Sequence, residues 1–295
     1  MNTPIWLNGK LVPADSATVS VFDHGLMVGD GVFETIKCVN GVSFALTRHL
    51  DRLRLSARRM DLPEPDTDAI AEGVRACLAE APAWPLGRIR VTYTSGPGPL
   101  GSDRGDQGCT TVVIVGEQKP FPATADVTVV PWPRNERGAL AGVKSTSYGD
   151  NAKALFYAKA RGGGEAIFAN LAGNLCEGTG SNVFIVRDGR LITPTLASGC
   201  LAGVTRALTL EWCGGAEEDV PLSALYEAEE AFLTSTTRDI QPIRAVDQTV
   251  LPAAPGPITA KAMRVFAERG VFWNAWSFWL TAWIGNAAIA VVWVN

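Results

Sequence analysis

The chain is organised around the stretch LAGNLCEGTGSNVFIVRDGRLITPTLASGCLAGVTR, residues 171–206. Apolar, β-branched runs on both sides of Asp188-Gly189 predict a hairpin, because a D-G pair suits a tight turn. Glu177 lies among glycines at the end of a predicted strand, where the backbone can approach a ligand closely. A helix is predicted to begin near Thr205, and its first amides with that hydroxyl would suit a phosphate. Glu177 and a phosphate-binding helix N-terminus near Thr205, connected by a hairpin, together predict a cofactor site.

Two further polar features beyond residue 124 follow strand-like segments. Lys144 ends a short segment of this kind beside Val143, and it fits either a surface lysine or a side chain that points into a crevice. A hydroxyl cluster at residues 234–237 fits either a solvated turn or a phosphate contact. Helices are predicted at about residues 150–160 and 258–268.

The first half of the chain predicts a smaller set of strands and helices. The segments IWLNGKLVP (5–13) and VSVFDHGLMVGDGVFETIKCVNGVSFAL (19–46) each read as two strands. An amphipathic helix is predicted from near His49, with arginines that form a solvated face or, in one case, point inward to an anion. A second helix is predicted at residues 67–80, and a buried strand at 88–96 leads into a long glycine-rich loop.

Composition excludes several classes of function. The net charge of −4 over 295 residues provides no basic field for nucleic acid, so we expect a small-molecule ligand. Six scattered cysteines without a C-x-x-C pair, and no apolar N-terminal leader, predict reduced thiols in the cytoplasm. Two histidines are little material for a zinc site or a catalytic triad, so no metal is expected.

A proline cluster near residue 120 predicts a division of the chain into two domains. We expect a small N-terminal domain over residues 1–117, a linker over 118–123 and a larger domain over 124–269 that carries Lys144. Residues 270–295 form a hydrophobic, Trp-rich tail without a charged residue.

Taken together, these motifs resemble the class IV aminotransferases, which are fold-type-IV pyridoxal-phosphate enzymes. The group includes branched-chain and D-amino-acid aminotransferases and 4-amino-4-deoxychorismate lyase. The resemblance covers about residues 4–268 and is carried by the following motifs: EGTGSNVFIVRDG (177–189), SGCLAGVTR (198–206), GDGVFET (29–35), HLDRL (49–53), VKSTSY (143–148) and FLTSTTRDIQPI (232–243). It implies a two-domain α/β fold of the D-amino-acid aminotransferase-like architecture, with pyridoxal 5′-phosphate between the domains, and a homodimer.

The resemblance also implies roles for three residues around the cofactor ring and for the lysine. Lys144 matches the lysine that binds the cofactor aldehyde, and Glu177 matches the acid that pairs with the pyridine nitrogen. Leu201 matches the apolar residue against the ring. Tyr148 resembles the tyrosine that contacts the ring hydroxyl.

The phosphate has its own set of implied contacts. Arg52 matches the arginine that binds the phosphate, and Thr205 and Thr236 match its hydroxyl partners. The amides of Val204 and Thr205 complete the set. A phosphate dianion held by an arginine, helix amides and hydroxyls anchors the cofactor while its ring moves.

Substrate choice leaves alternatives open. Glu34 resembles an acid found in transaminases of the group, and Arg90 aligns with an arginine near the substrate carboxylate of branched-chain enzymes. Where D-amino-acid enzymes carry a carboxylate-binding arginine, this chain has GPGPLG (96–101). The overall pattern, including LGSDRGD (100–106), most resembles bacterial aminodeoxychorismate lyases, with a branched-chain or other small amino acid transaminase as the alternative. An alternative of another class is a relic that binds a cofactor or metabolite without catalysis.

The tail has three alternative interpretations. Trp273, Trp276, Trp279 and Trp283 recur at helical spacing, which favours a helix packed on the body or on a dimer partner. A shifted reading frame would also account for the sequence. The length suffices for a membrane span, although no basic cluster flanks it, so a membrane anchor ranks last.

Overall fold

The computed structural model describes residues 3–282, with side chains up to residue 270, and forms two β-sheets that share no strand. The expected mixed α/β fold is therefore confirmed. The helices are α1 His24–Met27, α2 Leu46–Arg59, α3 Thr67–Glu80, α4 Gly149–Lys159, α5 Val204–Cys213, α6 Ser223–Tyr226 and α7 Pro257–Ala282, with a 3-10 turn at Leu196–Ser198.

The first sheet comes from the N-terminal part of the chain and is antiparallel throughout, in the order β2-β1-β6-β5-β3-β4. Its strands are β1 Ile5–Leu7, β2 Lys10–Val12, β3 Gly31–Val39, β4 Val42–Ser43, β5 Gly87–Thr94 and β6 Thr110–Glu117. Helices α2 and α3 cover one face of this sheet, where Ile36 and Ile89 contribute to a buried core with Leu53 and Val74. Burial of this apolar surface fixes the register, since a slip of one residue would expose it.

Local sequence explains where α3 begins. The Asp66 carboxylate accepts hydrogen bonds from the amides of Asp68 and Ala69, and this cap satisfies donors that the helix itself leaves free. The helix at residues 67–80 is thereby confirmed at both ends.

The second sheet is larger and mixed, in the order β12-β11-β10-β13-β14-β7-β8-β9, with β15 beside β14. The pairs β7–β8, β7–β14 and β11–β12 are parallel. The hairpin predicted around the D-G pair is confirmed, because Asp188 (φ 51°) and Gly189 (φ 67°) both adopt the left-handed conformation that such a turn requires. The strands are β7 Ala125–Val129, β8 Glu165–Ala169, β9 Leu175–Gly178, β10 Asn182–Arg187, β11 Arg190–Thr193, β12 Ala216–Glu217, β13 Glu230–Ser235, β14 Asp239–Val246 and β15 Thr249–Val250.

Several contacts join the two sheets. Phe44, from the end of the first sheet, is buried in a cluster with Phe266 of α7. Lys37 of β3 is buried and pairs with Asp239 of β14 at 2.5 Å. The predicted linker at residues 118–123 lies between β6 and β7, where the chain passes from one sheet to the other; the division into domains stays a prediction.

Two strand predictions are wrong. Residues 19–22 form no strand. They are exposed, the Gly98 amide donates to the Phe22 carbonyl at 3.0 Å without a continuing ladder, and Asp23 instead caps α1. The segment that ends at Lys144 is not a strand either. It is held against β3 by a single bridge between Val32 and Ser145, together with loop hydrogen bonds.

The last helix is longer than predicted, since α7 continues past residue 268 to Ala282. Apart from Gly270, no residue between 268 and 282 is a helix breaker, and a single glycine is tolerated in a helix. The remainder of the tail, residues 283–295, lies outside the described residues, so its alternatives stay predictions. None of the helices within residues 3–282 combines the length and the apolar character that crossing a membrane requires.

Candidate active site

The segment around Lys144 is fastened to the start of β3 through its backbone. The Phe33 amide donates to the Lys144 carbonyl at 2.9 Å, and the Thr146 amide donates to the Gly31 carbonyl at 2.8 Å. The Lys144 amide faces the Ser56 hydroxyl of α2 at 3.4 Å. A lysine that follows the predicted linker in the sequence is thus held by the first sheet.

The ring of Phe33 packs against the amine of Lys144. The Lys144 Nζ lies 4.5 Å from the centre of the Phe33 ring, and Tyr148 meets the same ring edge-on at 5.1 Å. Burial, reinforced by the positive charge of Arg52, lowers the pKa of Lys144 to about 8, although Glu34 and Glu177 oppose the shift. The amine is therefore much closer to its nucleophilic, uncharged form at neutral pH than an ordinary lysine is.

Arg90 stacks on Phe33 with its guanidinium carbon 3.5 Å from the ring centre. Its Nε donates to the Thr92 hydroxyl at 3.2 Å, and its terminal nitrogens donate to no described residue. Burial lowers the pKa of Arg90 to about 10, which leaves it charged at neutral pH. The arrangement can bind a carboxylate beside the lysine.

Glu177 lies at the end of β9, in the predicted place. Its Oε2 accepts a hydrogen bond from the Leu201 amide at 2.9 Å, and its Oε1 lies 3.4 Å from the Arg134 Nε. Burial raises the pKa of Glu177, while Arg134 and the Leu201 amide act in the opposite direction. A positively charged ligand group would therefore find an acceptor that has few hydrogen bonds of its own.

Arg134 is a site residue that the sequence did not reveal, and His49, described below, is another. Its Nη1 donates to the Asn151 Oδ1 at 3.0 Å, and its guanidinium lies 4.1 Å from the centre of the Phe168 ring. The buried Nε and Nη2 atoms have no hydrogen-bond partner among the described residues. No periodicity or motif marks this position, because the contact with Glu177 is made across the sheet.

Tyr148 opens α4 and points toward the strand end that carries the acid. Its hydroxyl donates to the Thr179 carbonyl at 2.8 Å, and the Asn151 amide donates to the same oxygen. Burial raises the pKa of Tyr148 to about 12, so the phenol stays protonated at neutral pH. Its oxygen can accept a further hydrogen bond from a ligand.

The segment from Leu201, whose amide binds this acid, to Gly203 leads into the N-terminus of α5. The Asn182 amide donates to the Leu201 carbonyl at 2.8 Å and so shapes the turn into the helix. Gly203 suits this turn, because a Cβ there would collide with the Asn182 Oδ1. No side chain caps the helix, and the amides of Val204 and Thr205 donate to no described residue. Free amides at a helix N-terminus form an anion site when a cation faces them.

Arg52 provides a cation at this helix end. Its Nη1 donates to the Ala202 carbonyl at 3.0 Å, while its Nε and Nη2 bind the two oxygens of Glu34 at 2.8 and 2.7 Å. Burial of Glu34 opposes ionisation, but Arg52 and His49 together lower the pKa of that acid to about 2. Glu34 was predicted to face the substrate; both of its oxygens are occupied by Arg52 and His49.

His49 and Thr236 complete the helix end. The His49 Nδ1 lies 2.7 Å from the Glu34 Oε2, and its Nε2 lies 3.4 Å from the Thr236 hydroxyl. Thr236 follows β13, so the second sheet contributes a hydroxyl to the cluster that α2 and α5 form.

The arrangement fits pyridoxal phosphate. An anion site with free helix amides lies at one end and an acid with unused acceptor capacity at the other, and a lysine with a depressed pKa lies in the electrostatic field of both. The predicted residues that the structure brings together are the following: Lys144, Arg52, Tyr148, Glu177, Leu201, Val204, Thr205, Thr236, Glu34 and Arg90.

Comparison with known proteins shows which proteins this chain is similar to. The family described as amino-transferase class IV matches residues 31–246. A putative branched-chain-amino-acid aminotransferase of Methanocaldococcus jannaschii is 35% identical over 92% of this chain and 97% of its own length. A D-alanine aminotransferase of Listeria innocua is 31% identical over 90% and 95%.

Solved structures show the same architecture. Branched-chain amino acid aminotransferase of Escherichia coli superposes with a TM-score of 0.84 at 28% identity, covering 90% of this chain and 94% of that one. A hypothetical aminotransferase from Mycobacterium tuberculosis in its PLP-bound form gives 0.80 at 25% identity, with 92% and 99% covered. The predicted fold-type-IV architecture is confirmed.

Proposed function

The chain belongs to the class IV aminotransferase family of pyridoxal-phosphate enzymes, and from this premise we propose that it is a transaminase for small amino acids. The observation that carries the proposal is the position of Lys144. Burial and the charge of Arg52 lower the pKa of its amine to about 8 while Glu34 and Glu177 oppose the shift, and the amine lies over Phe33.

When bound, pyridoxal phosphate supplies an aldehyde that captures an amine and a ring that accepts the electrons released when the Cα proton leaves. Lys144 would hold this aldehyde through Nζ and, once its amine is free, would accept the Cα proton at Nζ. Glu177 would keep the pyridine nitrogen protonated. Tyr148 would orient the ring hydroxyl, and Leu201 would contact the ring.

The N-terminus of α5 would hold the phosphate. The amides of Val204 and Thr205 and the hydroxyls of Thr205 and Thr236 would donate to it, and Arg52 would supply the positive charge. For Glu34 we propose a supporting role in place of the expected substrate contact. Its carboxylate orients Arg52, because both oxygens accept hydrogen bonds from that guanidinium.

Arg90 is proposed to bind the substrate carboxylate. The alternative would be an arginine from the loop of residues 97–108, where Arg104 is the sole candidate. Arg104 binds Asp30 through Nε and Nη2 at 2.7 and 2.8 Å and donates to the Met60 and Asp61 carbonyls. With every nitrogen engaged, it anchors the loop, and this favours the branched-chain type of relative over the D-alanine type.

The second candidate function is 4-amino-4-deoxychorismate lyase, which releases 4-aminobenzoate and pyruvate. The resemblance of LGSDRGD (100–106) to bacterial lyases favours it, and Arg104 ties this loop to Asp30 at the border of the site. The same Lys144 would take the Cα proton, and elimination would follow in place of amino transfer.

We further propose a cytoplasmic homodimer. The segment around α1 exposes a run of large apolar side chains, with Val21 70% and Leu26 71% exposed, and a second subunit would cover them. Sedimentation of wild-type protein should give twice the chain mass, and Leu26→Glu should shift the protein toward monomer. A wild-type monomer would contradict the dimer.

A paired assay tests the proposed function. Purified protein with pyridoxal phosphate is given a panel of amino acids with 2-oxoglutarate, and separately aminodeoxychorismate with detection of 4-aminobenzoate. Amino transfer from small apolar amino acids supports the transaminase, and 4-aminobenzoate without amino transfer identifies the lyase.

Lys144→Ala should lower the turnover of either reaction by about 10²–10⁴-fold, whereas Lys159→Ala, a change at an exposed lysine, should leave it unchanged. Wild-type turnover in Lys144→Ala would refute both.

A further inference from the structure

We propose that His49 is a positioning residue that sets the direction of the Thr236 hydroxyl proton at the phosphate end of the site. This inference rests on the proposed function, because Thr236 matters there as a phosphate partner. His49 lies on α2, three residues before Arg52, and its side chain is 1% exposed.

The Nδ1 atom of His49 carries a proton. It lies 2.7 Å from the Glu34 Oε2, and Glu34 is fully buried between His49 and Arg52. An ionised carboxylate can only accept hydrogen bonds, so the imidazole nitrogen that faces it must be the donor. This holds whether the ring is neutral or charged.

The Nε2 atom therefore decides the state of Thr236. In a neutral ring Nε2 is an acceptor, and the Thr236 hydroxyl 3.4 Å away donates its proton to it. In a charged ring Nε2 donates to the hydroxyl oxygen, which releases the hydroxyl proton for a phosphate oxygen. Because the contact is long, exchanging one arrangement for the other gives up little hydrogen-bond energy.

Charged groups from three elements face His49: Glu34 from β3, Arg52 from α2 and Lys144 from the segment that pairs with β3. Burial lowers the pKa of His49, and Arg52 and Lys144 add to this, whereas Glu34 opposes it. The ring is thus neutral at pH 7 in the ligand-free protein. A phosphate dianion at the N-terminus of α5 would favour the charged ring, so phosphate binding and proton uptake by His49 are coupled.

Nitrogen NMR of the histidines tests this directly, since His24 and His49 are the two histidines of the chain. His24 is an internal reference of the other tautomer: its Nε2 lies 2.9 Å from the Pro99 carbonyl oxygen, and its buried Nδ1 has no hydrogen-bond partner among the described residues. Assignment follows from the loss of one signal set in His49→Asn.

The full chain is measured with inorganic phosphate and as holoenzyme. The expected result is a protonated Nδ1 of His49 throughout, and an Nε2 that changes from unprotonated to protonated when phosphate binds near pH 7. The signals of His24 should not move. A proton on Nε2 with none on Nδ1 in the ligand-free protein, or an Nε2 signal that ignores phosphate, would overturn the proposal.

A double-mutant cycle separates positioning from a structural role. His49→Asn keeps a donor for Glu34 but lacks Nε2, and it should weaken cofactor affinity about three- to tenfold. In Thr236→Val protein the same change should cost less than about twofold, because the hydroxyl that His49 positions is gone. Equal costs in both backgrounds would overturn the proposal. If pyridoxal phosphate fails to attach to Lys144 in wild-type protein, the proposed function fails instead.

Discussion

Two buried carboxylates of the site, Glu34 and Glu177, have opposite environments. Glu34 accepts hydrogen bonds from Arg52 and His49, and its pKa is lowered to about 2. Glu177 has one backbone donor and an arginine at 3.4 Å, and burial raises its pKa. Both oxygens of Glu34 accept short hydrogen bonds from side chains of the same protein. Glu177 accepts a single backbone hydrogen bond, so it keeps unused acceptor capacity.

This difference distinguishes an acid that stabilises the folded site, Glu34, from one that is available to bind a ligand, Glu177. Removing one partner of a buried ion pair leaves an uncompensated charge, so Glu34 should matter for folding. Neutralising an acid whose ionisation is already disfavoured by burial should cost the free protein little. Glu177 should therefore matter for chemistry.

The largest expected effect is on the stability of Glu34→Gln. This variant strands the Arg52 guanidinium and should lower the free energy of unfolding by about 3–5 kcal/mol. The matched control is Glu211→Gln, which removes the acid partner of Arg48 on the same helix, where the side chains are 46% and 37% exposed and the expected cost is below about 1 kcal/mol. Urea denaturation of the cofactor-free proteins measures both, and equal costs would break the comparison.

The same acid predicts how stability depends on pH. The pKa of Glu34 is about 2 in the folded protein and ordinarily 4.5, so its stabilisation is present above about pH 4.5 and is lost as the pH falls toward 2. Glu34→Gln should flatten this part of the acid-unfolding curve. A curve that keeps its wild-type shape in the variant would assign acid unfolding to other groups.

Glu177→Gln should show the reverse pattern to Glu34→Gln. We expect the free energy of unfolding to fall by less than in Glu34→Gln. Burial already disfavours the charged form of the acid, and Arg134, whose Nε lies 3.4 Å from Glu177, keeps its hydrogen bond to Asn151. Turnover should fall about 10²–10³-fold, since the pyridine nitrogen loses its charged partner. Steady-state kinetics beside denaturation measures this, and a variant with wild-type turnover would remove Glu177 from the mechanism.

Between the two acids, the pKa of Lys144 predicts the pH dependence of cofactor attachment. The amine is free above about pH 8, so the attachment rate should rise about tenfold per pH unit below 8 and level off above it. Stopped-flow absorbance with added pyridoxal phosphate follows the rate. A rate that climbs steadily toward pH 10 would indicate an ordinary lysine.

The smallest effect is expected at Arg134. Arg134→Gln removes the cation nearest Glu177, which should raise the pKa of that acid further and lower turnover about three- to tenfold at pH 7. The acid limb of the pH–rate profile should move to higher pH. Arg137→Gln, three residues away and exposed, is the control and should match wild type.

The elements of the fold that depend on local sequence could be predicted from the sequence. The Asp188-Gly189 turn and the helix at residues 67–80 follow from local conformational preferences and capping, and both were predicted correctly. The sequence motifs also indicated most residues of the site, and the structure brings these residues together.

The sequence did not predict features that depend on distant partners. The run at residues 19–22 has strand-like composition but meets no neighbouring strand. Arg134 reaches Glu177 across the sheet, and the pairing of Glu34 with His49 and Arg52 joins β3 to α2 through side chains. Each of these contacts depends on how elements pack, which no periodicity encodes.

The most direct test of the whole account is to trap the cofactor and find which lysine carries it. Full-length protein is incubated with pyridoxal phosphate, reduced with borohydride, digested and mapped by mass spectrometry. We expect the peptide containing Lys144 to gain the reduced cofactor at one equivalent per chain, and Lys144→Ala to gain none. Modification of Lys37, Lys153 or any other lysine in its place would contradict it.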